Sequence, residues 1–174
     1  MGKTLKRDVL FKAYFTRYPQ FLQELLRVIL NKKIIVKKVV NDVKLEKLSE
    51  KEKYGVLDVE AELENGEKAI VEMQVRDYKN IEERATFYAS KRISEQIESG
   101  KDYNVIKNIY VIVILNYTLI DVPEYVNKTV RVLDRNRDYE INNVVTYYFI
   151  ELDKFRSKER DMSIELNQWL SFID

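Results

Sequence analysis

The chain of 174 residues contains no cysteine and no histidine. The first absence excludes disulfides, thiolate nucleophiles and cysteine-ligated zinc, and the second removes imidazole ligands and every histidine-based catalytic triad. An excess of charge is also missing. Lys+Arg 30 stands against Asp+Glu 29, a net +1, so bulk electrostatics make no case for nucleic acid, although local basic faces remain open. The longest apolar run, "IYVIVIL" at Ile109–Leu115, is far short of the ~20 residues that span a bilayer. The N-terminus "MGKTLKRDVLFKAYF" scatters charges through its apolar residues, unlike a secretory signal, so no membrane is expected and the default location is cytoplasmic. "MGKT" lacks the glycine frame and the preceding strand of a phosphate-binding loop. No internal repeat, linker or low-complexity segment is visible, with only 4 glycines and 2 prolines in the chain.

What is present is the composition of one globular domain over 1–174, with 45% apolar and 34% charged residues and enough length for a real core. Any catalysis must use carboxylates, amides, Lys, Arg, Tyr or a metal. "YPQFLQELLRVIL" places Phe21, Leu22, Leu25, Leu26, Ile29 and Leu30 at helical spacing, with Pro19 near its start. "IIVKKVVNDVKLEKL" is rich in β-branched residues and reads as one strand or a broken pair, ending in the charged turn "SEKEKYG". A second strand covers 56–63 and a third 68–75.

The connection between these last two strands fixes which side chains face one another. A two-residue Asn-Gly turn would set Asp58 opposite Met73 and Val59 opposite Glu72, mixing charged and apolar groups on each face. A three-residue loop, Glu64-Asn65-Gly66 with Gly66 left-handed in a bulge, instead pairs Leu57 with Met73, Val59 with Val71 and Ala61 with Ala69. One face becomes apolar. The other sets Asp58 opposite Glu72, with Glu60, Gln74 and Lys68 nearby. Two carboxylates side by side repel unless a cation or a proton joins them, so the geometry asks for a metal.

Further on, "NIEERATFYASKRISEQIESG" is a helix by pattern, with Asn80 as cap and Gly100 as terminator. Ile81, Ala85, Tyr88, Ala89, Ile93, Gln96 and Ile97 share one side of it; Arg84, Lys91, Arg92 and Glu95 flank them. "NIYVIVILN" reads as a buried strand. A loop over 117–125, a hairpin through "KTVRVL" and "NVVTYYFIEL", and a final helix carrying Leu166, Trp169, Leu170 and Ile173 complete the chain.

This order of elements, with "DVLFKAYF", Asp58 in "GVLDVEAEL", Glu72 and Gln74 in "VEMQV", "RATFYASKRISEQIESGKDY", "NIYVIVIL" and "FIELDKF", resembles the PD-(D/E)XK nuclease superfamily. Within it the chain resembles the recombination-promoting nucleases, a transposase-associated group. The blocks run from Asp8 to about Phe155. The resemblance implies an α/β (α+β) restriction-endonuclease-like fold, α-β-β-β-α-β, with a mixed central sheet flanked by helices and C-terminal strands and helix added. It also implies a DNA endonuclease in which Asp58, Glu72 and the backbone carbonyl of Met73 hold Mg2+, with Mn2+ as a substitute. Gln74 stands where the superfamily has a lysine; its amide positions water or phosphate without supplying charge. Lys68, Arg84 and Lys91 are the candidates for the missing cation and for phosphate contacts. The analogy with nucleases that cut both strands offers a homodimer, though no stretch declares itself an interface. Because members of the family often continue past "NQWLSFID", a further C-terminal region that supplies DNA contacts or dimerisation is the corresponding expectation.

Each assignment has a plainer competitor. Alternating acids at Asp58, Glu60 and Glu62 suit the solvated face of an edge strand, Arg84 and Tyr88 at i, i+4 suit helix packing, and Asp8 and Lys12 read as structural residues of a helix start. The tyrosines of "TYYF" read as strand packing. As a whole, the alternative to a nuclease is a catalytically weak or inactive nuclease-fold module that binds nucleic acid or a protein partner.

Overall fold

The computed structural model describes residues 8–44 and 56–174. The chain opens with two helices, α1 (Asp8–Arg17) and α2 (Pro19–Leu30). The break between them is set by Pro19, which disfavours helical geometry in the residue before it; Tyr18 sits at φ −127, ψ 71 while Pro19 starts the next helix. Asn31 ends α2 in the left-handed conformation, one of the few non-glycine residues that tolerates it. Leu22, Leu25, Leu26 and Ile29 give α2 its buried stripe, as their spacing predicts.

Strands β1 (Val36–Lys44), β2 (Val56–Leu63) and β3 (Lys68–Gln74) follow as an antiparallel meander. The expected charged turn over 49–55 lies outside the described residues. Between β2 and β3 the three-residue loop is present: Gly66 has φ +83, Gly66 N–H donates to the Leu63 carbonyl and Leu63 N–H to that of Glu67, each at 2.9 Å. Val59 pairs with Val71 and Ala61 with Ala69, the register that the apolar face requires.

Helix α3 (Ile81–Ser94) crosses over to β4 (Ile109–Leu115), which lies parallel to β3. The helix stops short of the expected terminator, Gly100. Its last turn tightens as Gln96 N–H bonds the Ile93 carbonyl, and the Gln96 side chain then holds Lys107, accepting from its N–H at 2.7 Å and donating to its carbonyl at 3.3 Å. The expected C-terminal hairpin is more elaborate. β5 (Val126–Lys128) pairs antiparallel with β8 (Val145–Glu151), but a separate ribbon of β6 (Val132–Leu133) and β7 (Asn136–Glu140) intervenes. A short helix α4 (Leu152–Ser157) and the expected α5 (Glu165–Ile173) end the chain.

The six-stranded sheet runs β1-β2-β3-β4-β8-β5 and is mixed, with β3, β4 and β8 parallel. It separates two cores. On one face Phe11 and Phe15 of α1, the α2 stripe, Phe155 and Leu170 pack against Val59, Ala61, Val71 and Met73. On the other, Ile81, Ala85 and Ala89 of α3 cover Ile70, Val111 and Val113. This is the helix-flanked mixed α/β architecture of restriction-endonuclease-like proteins. Among the described residues no helix is long and apolar enough to cross a membrane.

Candidate active site

The two central antiparallel strands, β2 and β3, part before β3 ends. Their ladder runs from Glu62 and Lys68 to Val59 and Val71. On its other edge β3 bonds to β4 through its even-numbered residues, since Lys68 N–H donates to the Asn108 carbonyl and Asn116 N–H to that of Gln74. The odd-numbered backbone groups, Met73 among them, therefore face β2. Where the next rung would fall, side chains replace the backbone: Met73 N–H donates to Asp58 Oδ2 at 3.0 Å, and Asp58 N–H donates to Glu72 Oε1 at 3.1 Å. Each carboxylate is thus fixed by the main chain of the opposite strand, and the Met73 carbonyl, on the same side as its N–H, faces the gap.

Both acids are buried, Glu72 almost completely at 1% exposure and Asp58 at 8%. Burial, and then the charge of Asp58, push the Glu72 carboxyl up to about 8. Two cations approach the pair from helices on opposite faces of the sheet. From α1, Lys12 Nζ reaches Asp58 Oδ1 at 3.1 Å; from α3, Arg84 Nη2 reaches Glu72 Oε2 at 3.1 Å. Nε of Arg84 is buried with no hydrogen-bond partner among the described residues, so this guanidinium has donor capacity left over. A cleft of about 330 Å³ opens on the acids, walled by Met73, Gln74, Arg76, Tyr78, Arg84 and Tyr88.

The candidate residues inferred from sequence are thus divided by the fold. Asp58, Glu72, Met73, Gln74 and Arg84 converge on one cleft. Lys68 instead faces Glu60 at 3.4 Å, and Lys91, buried on α3, is not part of the cleft wall. Lys12, read from sequence as a structural residue, touches the acid pair directly. Arg76 and Tyr78 were not singled out at all, although their place immediately after the acid-bearing strand is a usable signal; Tyr78 stands 64% exposed at the cleft. Glu60, the next acid along β2, is held by Arg92 Nε at 2.6 Å and so is a structural ion pair rather than part of the cleft.

The donors suit a small, hard divalent cation. Carboxylate and carbonyl oxygens are the ligands such ions take, and each carboxylate offers about four acceptor positions. Among the described residues no group of three acidic side chains forms a site by itself; to such an ion the protein would offer two carboxylates and a carbonyl, leaving the remaining positions to water and substrate.

Comparison with known proteins gives one family and no individual relative: no curated protein and no solved structure matches. The sequence model described as PD-(D/E)XK nuclease family transposase matches residues 5–174, nearly the whole chain, including both acids and the helices α1 to α5. With the mixed sheet and the paired acids at the parting of β2 and β3, that match means the chain belongs to the PD-(D/E)XK nuclease family transposases.

Proposed function

We propose that the protein hydrolyses phosphodiester bonds in DNA as a Mg2+-dependent endonuclease, acting in recombination or on mobile elements, with Mn2+ able to replace Mg2+. The family supplies the nuclease or transposase-like role; the pair of buried carboxylates, each held by the other strand's backbone, supports the specific chemistry. Asp58, Glu72 and the Met73 carbonyl hold the cation, whose chemistry when bound is to acidify water and offset negative charge at the scissile phosphate. Gln74 orients water or a phosphate oxygen through its amide. Arg84 lends a guanidinium to the phosphate, a group suited to paired contacts with its oxygens. Arg76 and Tyr78 meet the flanking nucleotides at the mouth of the cleft, by charge and by stacking.

A second reading draws on a specific observation. Lys12 and Arg84 already pair with the two acids, which is how a nuclease-fold module that has lost cleavage and only binds nucleic acid or a protein partner would be stabilised. Nicking of supercoiled plasmid in Mg2+, Mn2+ or EDTA separates the two. Wild-type protein is expected to nick only with metal, and Asp58→Ala and Glu72→Ala to lose nicking by at least about a hundredfold while keeping their circular dichroism. Wild-type protein as inert as the variants in all three conditions would refute the endonuclease and favour the binding module.

A further inference from the structure

Lys12 is placed with unusual care for a residue that only flanks a helix. Phe11 and Phe15, both fully buried, anchor α1 on either side of it, and its side chain is only 15% exposed where it meets Asp58. Ordering and desolvating a lysine costs entropy and hydration that a simple surface pair does not recover. Its counterpart at the other acid, Arg84, comes from the opposite face, so two acids and two protein cations form a quartet that is neutral once both acids are ionised. A divalent cation seated on the same oxygens brings the group to about +2 and repels both side chains. Lys12 is not itself part of the cleft wall, but its flexible four-carbon stem lets the ammonium swing from Asp58 toward a phosphodiester drawn to that cation. Gln74, two residues after Glu72, contributes no charge.

Resting on the endonuclease reading, we propose that Lys12 is a displaceable counter-ion. It neutralises Asp58 in the metal-free protein and, once a divalent cation takes the carboxylates, moves to a non-bridging oxygen of the scissile phosphate, supplying the positive charge that Gln74 lacks.

The test measures two quantities expected to move in opposite directions. Lys12→Met keeps the stem and removes the charge; Lys12→Gln is the second variant if the first fails to fold. Mn2+ binding is titrated calorimetrically without DNA, and plasmid nicking is then measured with Mn2+ saturating. Removing the competing cation is expected to tighten Mn2+ binding about tenfold, while nicking falls by roughly 10²–10³, the usual cost of a lost transition-state donor. Lys12→Arg is expected to return the Mn2+ affinity toward wild type and to restore part of the nicking. A neutral variant that nicks at the wild-type rate under saturation overturns the proposal, because Lys12 then serves only the metal-free fold. Unchanged or weakened Mn2+ affinity overturns it as well, since nothing was displaced. Wild-type protein that neither binds Mn2+ nor nicks is a different failure, removing the endonuclease reading and this proposal together.

Discussion

Glu72 makes the stability of the metal-free protein depend on pH in a direction opposite to that of an ordinary salt-bridged acid. Its carboxyl, raised from 4.5 to about 8 by burial and by Asp58, stays protonated in the folded protein across a range where the unfolded chain has already ionised. Within that window the folded state binds more protons, so stability falls as pH rises; below about 4.5 the group contributes nothing, and above about 8 the full penalty applies. A shift of about three and a half units at about 1.36 kcal/mol each sets an upper bound of about 5 kcal/mol. With a urea slope of about 2 kcal/mol/M, that bound corresponds to a midpoint lower by roughly 2 M at pH 9 than at pH 5. Glu72→Gln removes the titration while its amide oxygen still accepts from Asp58 N–H. In EDTA its urea midpoint is expected to vary less over this range and to exceed that of wild type above pH 8. Adding Mn2+ is expected to reverse the order, because the ion requires the ionised carboxylate and wild-type affinity therefore rises with pH. Parallel midpoint curves for wild type and Glu72→Gln in EDTA between pH 5 and 9 would refute the coupling of the two acids.

Two further outcomes follow from the same geometry. Gln74→Lys is expected to preserve or raise nicking if Gln74 occupies the position that the resemblance assigns to a lysine; a severe loss in a normally folded variant would count against that positional equivalence. Arg92→Ala leaves Glu60, 5% exposed, with only the longer contact to Lys68 among the described residues. The expected cost is about 3 kcal/mol and roughly 9 °C in melting temperature, largely recovered by the double change Glu60→Gln, Arg92→Met; thermal melts that shift by less than about 2 °C would contradict it.

The sequence revealed most where two local rules agreed. Gly66 and the alternation on either side of it determined one register, because a slip of one residue would have put acids into the apolar core. α2, β4 and α5 were legible from periodicity or from continuous apolar character. The rest depended on distant partners. Nothing within α3 announces that Gln96 will leave the helix to hold Lys107. The β6–β7 ribbon is largely exposed, with every residue of β7 on the surface, so no buried face imposes a period on it. The contact of Lys12 with Asp58 is hidden for a similar reason: between Phe11 and Phe15 the lysine has the pattern of a polar flank, and its partner lies on a distant strand.

The parting of β2 and β3 has a consequence for how the molecule tolerates change. Elsewhere the sheet acts as a wall, and repacking the side chains on one face is insulated from the other. At the gap the wall is breached, and the two acids answer to both layers at once. A substitution in α1 that shifts Phe11 or Phe15 tilts Lys12, one in α3 that shifts Ala85 tilts Arg84, and either disturbs the charge balance without touching the cleft. Loss of activity from core mutations in this protein is therefore expected to precede loss of fold.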